Sequence, residues 1–203
     1  MEFGISEEGK IIEDQVVRFI DEKIIPAEGI LAEEGKTTEN GQETPTMKAL
    51  RAEAKSLGLW NLYLPDSDWG AGVSNHDYSV ICEHMGRSQA APRVFNCDAP
   101  NTGNAEILAQ FGTDAQKEEL LTPLLEGEIR SCFSMTEPDT AGSDPTGLRT
   151  TAVRDGDEWV INGHKWFTSG AIGARFAIAM VVTNPKAAPH ERASMILVPT
   201  DAP

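Results

Sequence analysis

Arg130-Ser131-Cys132-Phe133-Ser134-Met135-Thr136-Glu137-Pro138-Asp139-Thr140-Ala141-Gly142-Ser143-Asp144 divides the chain into two kinds of sequence. Its first half alternates as a strand does. Pro138 then breaks the run, and a turn rich in small and hydroxyl residues follows. Upstream the apolar residues recur at helical spacing; downstream they recur every second residue. Backbone amides and hydroxyls crowded at such a change of structure suit a ligand.

On the N-terminal side of Arg130, five helical stretches organise residues 1–129. Ile11, Ile12, Val16, Phe19, Ile20 and Ile24 predict an amphipathic helix over 9–25, with Pro26 as its end. Residues 27–45 are rich in Glu, Thr and Gly and read as a solvated loop, and Met47, Leu50, Ala54 and Leu57 predict a helix stopped by Gly58. Ser74 with Asp77 forms an N-cap pattern for a helix over about 75–87. A further helix over 104–111 precedes a capping box at Thr113 and Gln116, whose helix runs to Leu125 and stops at Gly127. Gly70-Ala71-Gly72 begins a Gly-x-Gly-x-x-Gly pattern, but Asn75 fills its third place and no strand precedes it, so dinucleotide binding does not follow. His76 and His84 have no third metal ligand in view and read as ordinary histidines.

Working forward, Thr150–Arg154, Glu158–Ile161, His164–Thr168, Phe176–Val182 and Ser194–Val198 are strand candidates. Asp155-Gly156 and Asn162-Gly163 are hairpin signals, since tight hairpin turns need positive φ. The expected fold is α+β. An all-α domain over 1–129 is followed by an antiparallel β-sheet or barrel domain over 130–203.

The charge is just as uneven. Residues 1–129 hold 24 acids against 10 bases, while 130–203 hold 8 against 7. Neither part offers the basic surface that phosphate neutralisation requires, which excludes nucleic-acid binding and leaves the near-neutral second part as the better host for a small anion. No apolar run reaches the ~20 residues of a membrane span. The N-terminus lacks a signal-peptide pattern, and Cys82, Cys97 and Cys132 show no metal or redox spacing, so a cytoplasmic protein with reduced thiols and no metal is expected.

Gly-x-Ser-x-Gly, His-Glu-x-x-His and a Walker loop are all absent. In an extended strand Phe133, Met135 and Glu137 share one face, and Ser134 and Thr136 the other. A flat aromatic ligand needs an apolar wall, hydrogen bonds at its edge and donors for its phosphates. Backbone at Met135-Thr136 suits the edge. Gly142 allows close approach, and Ser143 adds a hydroxyl and an amide. The plainer reading is a solvent-exposed turn. In Lys165-Trp166-Phe167-Thr168-Ser169-Gly170, Trp166 suits either ring stacking or an ordinary cross-strand core.

Phe133-Ser134-Met135-Thr136-Glu137-Pro138 with Ala141-Gly142-Ser143-Asp144 resembles the acyl-CoA dehydrogenase family, whose aromatic-x-x-Thr-Glu-Pro…Gly-Ser-Asp strand and loop binds FAD. The match continues through Asp155-Gly156 and Asn162-Gly163-His164-Lys165 to Gly170. Leu59 to Pro65, Cys82 to Ser88 and Phe111 to Lys117 are similar to the family's helical domain. The Lys-Trp-aromatic…Ser-Gly form and the extra residue in Asp139-Thr140-Ala141-Gly142 look closest to the branch whose animal members carry a kinase-like phosphotransferase domain.

The resemblance implies the following roles. Phe133, Met135 and Thr136 match positions that line the flavin and bond its edge. Gly142 and Ser143 match positions on the FAD pyrophosphate, and Ser143 also matches a substrate contact. Trp166 and Thr168 match a residue packed on the isoalloxazine and a hydroxyl near its reactive nitrogen. The loop after Lys165 is one residue shorter than the commonest form, which leaves Trp166 or Phe167 as the stacking partner, Trp166 being favoured. The implied activity is FAD-dependent oxidation of an acyl-CoA to a 2-enoyl-CoA in fatty acid β-oxidation, with an electron-transferring flavoprotein as acceptor and a homo-oligomeric or hetero-oligomeric assembly. A non-catalytic subunit and an acyl-CoA oxidase are the alternatives. Family members run to about twice this length, and their C-terminal four-helix domain carries the glutamate base. No residue here matches that base, so none is assigned as catalytic, and a fragment inactive by itself is expected.

Overall fold

The computed structural model describes residues 4–39, 41–65 and 68–202. The chain forms two compact units, Met1–Glu128 and Ile129–Pro203.

The first unit is helical. Ser6 caps α1 (Glu7–Phe19), accepting from the Gly9 N–H, and Asp77 in turn accepts from the Ser6 N–H and hydroxyl at 2.9 and 2.8 Å. That bond ties the start of α1 to α4 (Asn75–Met85), which Ser74 caps in the same way. Val16, Phe19, Ile20 and Ile24 are buried and form the core face, whereas Ile11 of the predicted stripe is exposed and Ile12 half-buried.

The helix does not end at Pro26. Ile20–Ile24 makes one π turn, in which the Ile25 N–H bonds the Ile20 carbonyl five residues back, and α2 (Ile25–Thr37) continues from it. In a straight α-helix the proline ring would strike the carbonyl four residues earlier. The wider turn takes up that conflict, so most of the expected 27–45 loop is helix instead; Asn40 lies outside the described residues. The chain repeats the device. Lys117–Leu121 is a second π turn, followed by Thr122-Pro123 at the start of α8 (Thr122–Glu126). Between these lie α3 (Pro45–Ser56), α5 (Ala91–Val94), α6 (Asn101–Phe111) and α7 (Asp114–Gln116). The capping box at Thr113 and Gln116 is present in both directions, and Gly58 and Gly127 take positive φ as helix stops.

The second unit is one mixed sheet of β1 (Ser131–Ser134), β2 (Thr151–Asp155), β3 (Glu158–Asn162), β4 (Phe176–Val182) and β5 (Ala193–Pro199). The helix-then-sheet order is the expected one, but the pairing is not wholly antiparallel. β5 runs antiparallel along the whole of β4, while β1 and β2 both run parallel to it. β1 covers Phe176 to Ala179, and β2 meets β4 at Val182, where the Val182 N–H bonds the Thr150 carbonyl at 2.8 Å. The chain therefore leaves the sheet after Ser134 and rejoins it at Thr151, three β4 residues further on. Ala152, Ala179 and Val181 form the core on one face, with Ile161, Ile196 and Val198 against them.

The β2–β3 hairpin turns on Gly156-Asp157, one residue later than expected, with Gly156 at φ 60°. Asn162-Gly163 does not make a hairpin, and His164–Thr168 is not a strand. Gly163 is needed for close approach instead: a Cβ there would run into the Thr150 side chain, 2.6 Å from its Cβ. Among the described residues no helix is long and apolar enough to cross a membrane.

Candidate functional site

The predicted ligand stretch, residues 130–144, runs from β1 into the excursion between Ser134 and Thr151, which is held by one buried carboxylate. Glu137, 4% exposed, accepts from the Arg149 N–H at 2.7 Å and the Thr150 N–H at 2.9 Å. These bonds fasten the start of the loop to its end. The same carboxylate pairs with the Lys165 ammonium at 2.8 Å, and that ammonium also donates to the Met135 carbonyl at 2.8 Å. Burial pushes the Glu137 carboxyl up, but the Lys165 ammonium and the Thr150 and Arg149 donors outweigh it and hold the group at about 2. Glu137 is thus a fixed anion that accepts from three donors.

Further along the loop the backbone sets its own shape. The Asp144 N–H bonds the Ala141 carbonyl, and the Asp144 carboxylate caps the short 3-10 turn Pro145–Gly147 through the Thr146 N–H at 2.9 Å. Ser143 sits exposed within this turn. Gly142 returns to the start of the loop, where a Cβ would lie 2.9 Å from the Thr136 methyl. Only glycine permits that approach.

The segment after Gly163 runs along the other side of Thr136. The Trp166 N–H bonds the Thr136 carbonyl at 3.1 Å, and the Thr168 and Ser134 hydroxyls lie 3.4 Å apart. Trp166 is 41% exposed, and its ring lies 4.6 Å from that of Phe167, which is 80% exposed at φ 51°. A bulky residue at positive φ is an uncommon conformation that surroundings must impose. Phe133 is half-buried in β1, beside Ile178 in the β1–β4 register.

The structure therefore brings Met135, Thr136, Gly142, Trp166 and Thr168 to one place in the second unit. Ser143 lies on the same loop without a side-chain bond to them. The backbone at Met135-Thr136, expected to suit a ligand edge, has both of its carbonyls bonded within the chain, to Lys165 and Trp166. What remains is a donor. The Thr136 N–H makes no hydrogen bond among the described residues. Sequence reasoning missed Lys165 and Glu137 as the pair that holds the loop. The only signal was a carboxylate in an alternating strand with a lysine 28 residues later, and nothing in one sequence pairs them.

Family models match nearly the whole chain. Residues 6–128 match the acyl-CoA dehydrogenase N-terminal domain and residues 132–203 the acyl-CoA dehydrogenase middle domain. The chain belongs to the acyl-CoA dehydrogenase family. It is 42% identical to acyl-CoA dehydrogenase family member 10 of Mus musculus, over 98% of this chain and 19% of that protein. A structure from Mycobacterium abscessus assigned to the acyl-CoA dehydrogenases shares 44% identity at a TM-score of 0.91, covering 98% of this chain and 52% of the other. A glutaryl-CoA dehydrogenase from Mycobacterium smegmatis in complex with FADH2 shares 25% identity at a TM-score of 0.74, over 98% of this chain and 47% of its own. The chain thus spans about half the length of these solved relatives and a fifth of the mouse protein.

Proposed function

We propose that this chain carries the flavin-edge and pyrophosphate contacts of an FAD-dependent acyl-CoA dehydrogenase that converts an acyl-CoA to a 2-enoyl-CoA. The observation that carries the reading is Thr136, clasped between the Gly142 backbone and the Trp166 amide with its own N–H left over. Such a donor, a half-exposed indole beside it and a glycine-lined turn suit the edge, face and phosphates of a flavin dinucleotide. The FADH2-bound relative supports the same cofactor.

When bound, FAD supplies the hydride acceptor for the acyl β-carbon. The chain's own residues hold and orient it. The Thr136 N–H and hydroxyl would bond the ring edge, with Phe133 and Met135 as its apolar surroundings. Trp166 would cover a ring face, with the Thr168 hydroxyl near the reactive nitrogen. Gly142 and Ser143 would receive the pyrophosphate, and Ser143 also the acyl-CoA. Glu137 does not take the α-proton: a carboxyl held at about 2 and bonded to three donors is a weak base. We assign that proton to a group outside these 203 residues. An electron-transferring flavoprotein as acceptor, oligomeric assembly and a soluble, cytoplasmic setting complete the reading.

The test is direct. The purified chain is mixed with excess FAD, desalted and examined for visible flavin absorption, then exposed to acyl-CoA. Retained flavin that is not bleached by acyl-CoA is the expected result. A chain that stays colourless defeats the flavin assignment, and turnover by the chain alone defeats the placement of the base.

A further inference from the structure

Lys165 does more than neutralise Glu137. Its ammonium donates to the Met135 carbonyl, and that carbonyl belongs to the same peptide plane as the Thr136 N–H. In a trans peptide the two bonds point in opposite directions. Fixing one therefore aims the other. The next peptide is fixed as well, because the Thr136 carbonyl accepts from the Trp166 N–H, adjacent in sequence to Lys165. Two successive peptide planes are thus set by one short segment, with the Thr136 N–H pointing opposite to the Met135 carbonyl.

A full positive charge on the carbonyl side of an amide also draws electron density from its nitrogen, so the N–H becomes a stronger donor, as in any polarised hydrogen-bond chain. Glu137 keeps that ammonium in place from the other side, and it is itself anchored by the Arg149 and Thr150 amides rather than by solvent. The lysine is largely buried, with 13% of its side chain exposed, so water does little to screen it.

We propose that Lys165 is a positioning residue for the flavin: its ammonium, held by Glu137, aims and strengthens the Thr136 N–H as the donor to the flavin edge. This rests on the flavin reading above, but part of it stands without flavin. In the flavin-free chain the 15N resonance of Thr136 reports hydrogen bonding at the Met135 carbonyl. Lys165→Met should move that resonance upfield, and Lys165→Arg, which keeps a cationic donor, should restore it. No movement in Lys165→Met overturns the proposal whether or not flavin binds.

With flavin, Lys165→Met should weaken FAD binding about tenfold, the loss of one charge-assisted hydrogen bond, and shift the visible flavin band relative to wild type. Lys165→Arg should return most of the affinity. Glu137→Gln separates aim from stapling. The amide oxygen of that variant can still accept from the lysine ammonium, which keeps its bond to Met135, so FAD affinity should stay within about threefold, while the Arg149 amide, left facing an NH2 group, exchanges faster with solvent. Should Lys165→Met fail to fold, this second variant decides: an equal loss of flavin in Glu137→Gln makes the pair a structural staple only and overturns the proposal. A wild-type chain that never binds FAD sinks the flavin reading, with the 15N comparison still deciding the aim of Thr136.

Discussion

Glu137 keeps its charge in a place from which water is nearly excluded, and that makes its protonation a stability term. The carboxyl sits at about 2 in the folded chain against an ordinary 4.5. A depressed value means the ionised form stabilises the sheet unit fully above about pH 4.5, with the benefit fading as pH falls towards 2. The contribution is on the order of 3 kcal/mol. Urea midpoints of the sheet unit measured from pH 2 to 7 should therefore fall across the acid end of that range. Glu137→Gln should lower the neutral midpoint and flatten the slope. Gly163 is the second residue with a sharp demand. Alanine there would force its methyl into Thr150, and overpacking of this kind costs about 1–3 kcal/mol, readable in the same titration. Neither residue's role was legible in the sequence. Glu137 read as a strand position, and Asn162-Gly163 read as a turn because glycine's two uses, positive φ and close approach, look alike in a string of letters.

At the scale of elements, most helices and strands were readable, since periodicity and caps are local properties. Ser74 with Asp77, Thr113 with Gln116, and β4 at Phe176–Val182 all stand where the pattern puts them. The misses share one cause: a long-range partner overrode a local rule. His164–Thr168 alternates like a strand, yet its bonds go to Thr136, Met135 and Glu137 instead of to a ladder. Pro26 should end a helix, and the preceding π turn prevents it. That turn makes a prediction. Pro26→Ala should change the stability of the helical unit by less than about 1 kcal/mol, because the wider turn has already relieved the clash, whereas Val17→Pro within α1 should cost about 3 kcal/mol or more. Circular dichroism during thermal melting would separate the two. Equal costs would mean that the π turn does not accommodate the proline.

For the molecule as a whole, charge matters more than any single contact. The net charge is -15, and nearly all of it lies on residues 1–129. FAD is itself an anion, so its approach is opposed at long range even though residues 130–203, which would receive it, are together near neutral. Screening sets in within about 10 Å at 0.1 M salt. The rate of flavin association should therefore rise as salt is raised from roughly 0.01 to 0.15 M, the reverse of steering into a basic cleft. Stopped-flow quenching of flavin fluorescence would measure it, and a falling rate would show that local cations outweigh the distant acids.

The parallel seating of β1 and β2 on one edge of β4 also has a temporal consequence. Ser131 has no ladder partner until Phe176 has been made, and Thr151 has none across that edge until Val182. On a chain emerging from the ribosome, the loop stapled by Glu137 is thus synthesised complete, and must wait exposed, before the strand that gathers its two ends exists. Such non-local closure is slow by nature. Until β4 arrives, the β2–β3 hairpin, whose strands adjoin in sequence, is the one pairing in the sheet that can form among the described residues.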